Sequence, residues 1–241
     1  MKKLFCVLLL VLVALSVFSE EIWEKQHPLV QSTVLVAYMF GGMGTGVIVT
    51  PDGYLITAGH VIEGGWGEPL VFEPDGYPHS ARIVYYSVDK DWAILKIDLP
   101  DGAEPLCPVK IGDINTMAVG DPLLTLGHPM GVFWVLSRGI VSGVKFDSNG
   151  YQYVFTDAAG APGSSGSGMY NENLELVAIV QQGISGVGHF GVAGNGLITT
   201  ITAIILQDRA QQPVRDYLKS QSQRAKDAWE KLMDPDGDND K

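Results

Sequence analysis

Between Thr33 and Ile205 the chain is a succession of short β-branched and aromatic runs separated by turns bearing glycine or proline, and this pattern constrains the fold more than any other feature. Such runs suit a pleated, half-buried surface, and the long helical-period stretches that alternating helices require are missing among them. Strands are expected over 33–40, 47–50, 54–58, 70–73, 81–86, 92–98, 122–126, 132–144, 151–156, 174–181 and 197–201. Pro-Asp-Gly turns at 51–53 and 74–76 punctuate them. Many short strands at near-regular spacing argue for closed or sandwiched antiparallel sheets.

Charge narrows the possible partners. Lys and Arg number 16 against 27 Asp and Glu, a net −11, so a grip on nucleic-acid phosphates, which needs a basic face, is excluded, and an anionic membrane is disfavoured. Cys6 and Cys107 are the two cysteines. The first lies in an apolar N-terminal segment expected to be removed, which would leave no internal disulfide and no cysteine metal site. Cys107, between Leu106 and Pro108, is expected to be a small buried hydrophobe.

Residues 1–19 carry Lys2 and Lys3, an apolar run from Leu4 to Val17, and Val17-Phe18-Ser19 at the expected cleavage site. This is the pattern of a secretory signal peptide, too short for a comfortable membrane span. The chain is therefore expected to act outside the cytoplasm, in the periplasm or the medium, without stable membrane contact once the signal is cleaved. A body over 20–212 follows. After Gln212, Val214, Tyr217, Leu218, Ala225, Ala228, Trp229 and Leu232 fall at three- and four-residue steps, so 213–233 is expected to be an amphipathic helix. The last stretch, 234–241, reads as a solvated acidic tail.

Three segments carry residues suited to chemistry. Gly44 to Val61 is a hairpin whose second strand ends at Thr57-Ala-Gly-His60; Asp91 immediately precedes the apolar run Trp92-Ala-Ile-Leu-Lys; and Thr156 to Gly168 is a glycine- and serine-rich loop containing Ser165. A serine hydroxyl is a poor nucleophile at neutral pH and needs a neutral imidazole, itself oriented by a carboxylate. The backbone around it must also present N–H groups to a developing oxyanion, which a glycine-rich loop permits. His60, Asp91 and Ser165 supply the catalytic set, with the oxyanion donors expected at Gly163 and Ser165. Asp89, beside Lys90, competes for the acid role, but Asp91 abuts the apolar run and is the better placed for burial. Ser164 and Ser167 are rivals to Ser165. His27, His79, His128 and His189 have no companions at metal-ligand spacing and are expected in surface or loop roles.

At these residues the sequence resembles the trypsin-like serine proteases, most closely their HtrA-type bacterial branch. The resemblance rests on Thr57-Ala-Gly-His60, Asp91-Trp-Ala-Ile-Leu-Lys, Leu126-Gly-His-Pro-Met-Gly131, Arg138-Gly-Ile-Val-Ser142 and Thr156-Asp-Ala-Ala followed by Pro162-Gly-Ser-Ser165-Gly, in that order over about 33–205. It implies an all-β fold of two antiparallel six-stranded barrels with the C-terminal helix appended. It also implies serine endopeptidase activity on polypeptides, with no metal or organic cofactor. The family's loop usually reads Gly-Asn/Asp-Ser-Gly-Gly-Pro, whereas here Ser164 precedes the nucleophile and Ser167-Gly168 follow it. The PDZ module that many HtrA proteins carry has no counterpart in the stretch after Gln212.

The resemblance further implies a primary specificity pocket with Ala159 at its floor, one wall from Val180 and Gln181, and another from the segment ending at Thr199. Its uncharged lining favours small aliphatic side chains over Lys or Arg. The alternative specificity is for Glu, because Ser167 is shared with glutamyl endopeptidases and His189 or Thr199 stands within the same stretch. Two other classes compete. An α/β-hydrolase needs a Gly-x-Ser-x-Gly elbow and the order Ser, Asp, His, and fails on both counts. A protease-fold binding module without activity would keep the motifs yet misplace the oxyanion donors.

Overall fold

The computed structural model describes residues 27–38, 42–63, 65, 67–100, 102–146, 152–184, 188–193 and 195–233. The signal-peptide and acidic-tail readings therefore lie outside the described residues. The first six strands are β1 (Thr33–Ala37), β2 (Met43–Ile48), β3 (Tyr54–Ala58), β4 (Leu70–Phe72), β5 (Pro78–Ser87) and β6 (Trp92–Ile97). They close into a barrel in the order β1-β2-β3-β6-β5-β4. The next six are β7 (Pro122–Gly127), β8 (Val135–Phe146), β9 (Gln152–Thr156), β10 (Gly168–Tyr170), β11 (Leu176–Ile184) and β12 (Gly188–Ala193). They close in the order β10-β11-β12-β9-β8-β7. Every neighbouring pair is antiparallel, and closure leaves no unpaired strand at a sheet edge.

The strand chemistry explains the closure. In β3 all five side chains are buried, and β3 is hydrogen-bonded on both sides, to β2 and β6. Val34, Val36, Ile48, Leu55, Leu95 and Ile97 pack the first core; Leu123, Val141, Val154, Met169 and Val177 pack the second. The Pro-Asp-Gly turns at 51–53 and 74–76 form as their residues require, Gly53 N donating to Thr50 O at 3.1 Å and Gly76 N to Glu73 O at 2.9 Å.

The sequence reading departs from the structure in several places. β10 and β12 were not anticipated, being a three-residue strand and a glycine-interrupted one. The run 197–201, expected as a strand, belongs to helix α2 (Asn195–Met233), which also begins well before residue 213. A preceding single turn, α1 (Gly59–Ile62), is the other α-helix among the described residues. Ile201, Ile205 and Asp208 are buried while Thr202, Ala203 and Leu206 are exposed, a helical rather than a two-residue period. α2 continues through Pro213 despite the backbone bond a proline forfeits. The chain divides into two compact units, 1–199 and 200–241, and most of α2 belongs to the second. No helix among the described residues is long and apolar enough to cross a membrane. Cys107 is exposed, not buried, because it lies in the irregular segment between the barrels.

Candidate active site

Strand register brings two of the three chemical residues together. β3 and β6 pair with Ala58 opposite Trp92; His60 follows Ala58 by two residues and Asp91 precedes Trp92 by one, so both emerge at the same end of adjacent strands. Asp91 adopts a left-handed backbone, φ 50, a conformation aspartate tolerates better than most residues. Its Oδ1 accepts the His60 backbone N–H at 2.7 Å, and its carboxylate meets His60 Nδ1 at 3.0 Å through Oδ1 and 2.9 Å through Oδ2. Because a carboxylate only accepts, the proton of neutral His60 resides on Nδ1 and Nε2 is left as a base. That hydrogen bond raises the His60 pKa above 6.5, outweighing the lowering by burial; the charges of Asp91 and Glu63 add to the rise. Asp91, not Asp89, is thus the partner, although its side chain is a third exposed rather than buried as expected.

The third residue comes from the second barrel, on the loop between β9 and β10. Ser165 O accepts Thr45 N at 2.7 Å across the barrel interface, and Gly166 N donates to Val180 O at 2.7 Å. These bonds hold the loop on β2 and β11. Ser164 and Ser167 are both buried, and Ser164 Oγ accepts Ala161 N at 3.2 Å. Ser165 is partly exposed, and its Oγ donates to Gln181 O at 3.5 Å. Among the described residues this is the bond the hydroxyl makes; none runs to His60.

The amides of Gly163 and Ser165 have no acceptor among the described residues. Gly163 has φ +98, and a Cβ there would lie 2.4 Å from His128 O. No residue but glycine fits that close approach. A shallow cleft opens beside this loop, lined by Thr125, Ala159, Ser167 and Val180 among others. Ser167 Oγ faces no hydrogen-bond partner there.

Ala159 and Val180 line this cleft. Gln181 does not: its side chain turns toward the acid loop, Nε2 donating to Asp91 O at 3.0 Å and to Lys90 O. Thr199 is on helix α2 rather than on a strand forming a pocket wall. His128 lies in a loop, as one of the expected roles had it, but not at the surface. It is fully buried, its ring edge-on to Phe133 and Trp134 at 5.8 and 5.2 Å between centroids. Its place in Leu126-Gly-His-Pro-Met-Gly131, one of the motifs of the site, was the signal that spacing to other histidines did not capture.

Two β-barrels with a carboxylate–imidazole pair from the first and a serine loop with free amides from the second define the class of double-barrel serine hydrolases. The sequence matches the trypsin-like peptidase domain over residues 44–179, and the chain belongs to that family. It is 35% identical over 173 residues to a probable periplasmic serine endoprotease DegP-like of Pseudomonas savastanoi pv. phaseolicola, covering 70% of this chain and 34% of that protein. It is 30% identical over 145 residues to Protease Do-like 1, chloroplastic, of Arabidopsis thaliana, covering 57% of this chain and 32% of that one. Among solved structures, the HtrA-type protease AlgW with tripeptide is similar with TM-score 0.64 and 27% identity over 73% of this chain and 60% of that chain. The serine endoprotease from Yersinia pestis gives 0.63 and 26% over 75% and 65%. The chain spans about a third of the length of these curated relatives.

Proposed function

We propose that the chain is an exported serine endopeptidase of the HtrA/DegP type, cleaving polypeptides with His60, Asp91 and Ser165. The observation that carries this reading is that Gln181 links Asp91, whose carboxylate holds the His60 imidazole, to a partly exposed Ser165 whose loop carries uncommitted amides. Ser165 Oγ attacks the peptide carbonyl while His60 Nε2 takes its proton. The tetrahedral oxyanion is held by Gly163 N and Ser165 N, and His60 returns the proton to the leaving amine. Asp91 keeps His60 in the required tautomer and stabilises the imidazolium. Rotation of the Ser165 side chain from Gln181 O toward His60 precedes attack, since catalytic hydrogen bonds often tighten only once substrate is bound. Export is supported by the signal-like residues 1–19 and by the periplasmic naming of the relatives.

The pocket reading is revised to a cleft walled by Thr125, Ala159, Ser167 and Val180. None of these is charged, so a Lys or Arg side chain entering would lose hydration without a partner, and small aliphatic residues such as Val, Ala or Leu are favoured before the scissile bond. Mass-spectrometric profiling of cleavages in a peptide library tests this. A dominant Glu points to the glutamyl alternative, and dominant Lys or Arg overturns the pocket. The second functional reading is a protease-fold binding module without turnover, and the bond from Ser165 Oγ to Gln181 O is the observation in its favour. Peptide turnover by the wild type, lost in Ser165→Ala, decides between them.

A further inference from the structure

Both carbonyls flanking the Gly163 amide are tied down. Pro162 O accepts Met130 N at 2.7 Å, and Gly163 O accepts Thr45 Oγ1 at 2.9 Å. The Thr45 hydroxyl is in turn met by His128 twice, by the backbone N at 3.1 Å and by ring Nδ1 at 3.1 Å.

The chemistry of this cluster fixes the role of each group. A carbonyl oxygen only accepts, so the single hydroxyl proton of Thr45 is committed to Gly163 O. The hydroxyl oxygen then accepts both His128 N–H and His128 Nδ1–H, and the ring is the Nδ1–H tautomer. Its Nε2 carries a bare lone pair, buried with no partner. Burial pushes the His128 pKa down to about 4, which keeps the ring neutral at the pH where an imidazole base works. A purely packing role would be better filled by an apolar residue that strands no polar atom. The unpaired nitrogen marks a side chain present for its other nitrogen.

We propose that His128 is a positioning residue for the oxyanion donors. Through Thr45 Oγ1 it holds the Gly163 carbonyl, and with Met130 N on the Pro162 carbonyl it fixes both peptide planes beside the Gly163 amide, directing that N–H at the oxyanion. The role rests on the serine-protease reading above. It adds a support that spans both barrels, Thr45 coming from β2 and His128 from the end of β7. Without it the Gly163–Ser164 peptide is released, and Met130 N alone holds the peptide that carries the Gly163 N–H.

The test compares His128→Leu, His128→Asn, Thr45→Val and Thr45→Ser in the full-length chain. Asn can place its amide N–H where Nδ1–H stands, and Val keeps the shape of Thr without the hydroxyl. His128→Leu and Thr45→Val are expected to lower kcat by about tenfold to a hundredfold, short of the full loss of an oxyanion donor, with KM nearly unchanged. His128→Asn and Thr45→Ser should stay within about threefold of the wild type. A peptide aldehyde, whose hemiacetal oxygen uses the same amides, should lose affinity in the same ratio as kcat/KM. If His128→Leu fails to fold, Thr45→Val still decides. Folded Leu or Val variants with wild-type kcat and aldehyde affinity overturn the proposal. A wild type that neither turns over peptide nor reacts at Ser165 overturns the protease reading instead.

Discussion

Gly163 and Gly120 form a matched pair for testing the site by substitution. Both have φ +98, but a Cβ at Gly120 would meet nothing within 4 Å, whereas one at Gly163 would lie 2.4 Å from His128 O. Gly120→Ala therefore isolates backbone strain, about 1–2 kcal/mol for an L side chain held at positive φ. At about 2–4 °C per kcal/mol for a domain of this size, the melting temperature falls by about 2–8 °C. Gly163→Ala pays the same strain plus the cost of displacing a backbone carbonyl, about 1–3 kcal/mol more, for a total of about 2–5 kcal/mol. The displacement also swings an oxyanion donor, so kcat on a good peptide substrate should drop by about 10² to 10³ while Gly120→Ala retains full activity. Thermal melts and initial-rate kinetics on both variants suffice. Equal losses of stability would refute the close approach of Gly163 to His128, and a Gly163→Ala enzyme with near wild-type kcat would refute the oxyanion assignment.

Other expectations follow from the same geometry. His60 has a raised pKa, so kcat/KM should fall on acidification with a midpoint above pH 6.5, and Asp91→Asn should lower that midpoint and the rate together. The raised value also contributes stability that is fully present below the unfolded imidazole pKa and fades as pH rises through the folded one; calorimetry from pH 5 to 9 on wild type and His60→Ala, about the range spanned by an imidazole, reads the difference. Gln181→Ala, which removes the side-chain bonds to the carbonyls of Lys90 and Asp91, should lower kcat by about tenfold or more in steady-state assays, through the misplaced acid. Exposed Cys107 should react with a thiol reagent in the native protein without loss of peptide turnover.

Much of this architecture was legible in advance, and the exceptions share physical causes. Strand β3 was read at its observed limits because Tyr54-Leu-Ile-Thr-Ala is bounded by a Pro-Asp-Gly turn and a helical turn. β10 escaped notice because Gly168-Met-Tyr owes its strand state to pairing with β7 and β11 rather than to its own propensity. The β-branched run at 197–201 misled in the opposite direction, since its surroundings select a helix over local preference. For the site, order and residue type pointed to His60, Asp91 and Ser165, of which the structure pairs His60 with Asp91, because chemistry dictates those types. The direction of the Gln181 side chain and the burial of His128 escaped the sequence because they depend on where a side chain points across the barrel interface, which no local pattern encodes.

The central claim is that Ser165 is a nucleophile activated by His60. Reaction with a fluorophosphonate probe, followed by peptide mapping, tests it most directly, since only an activated serine reacts rapidly. The account predicts a single label on Ser165, abolished in Ser165→Ala and slowed by orders of magnitude in His60→Ala. A wild-type protein that stays unlabelled, or that carries the label on Ser164 or Ser167, would contradict it.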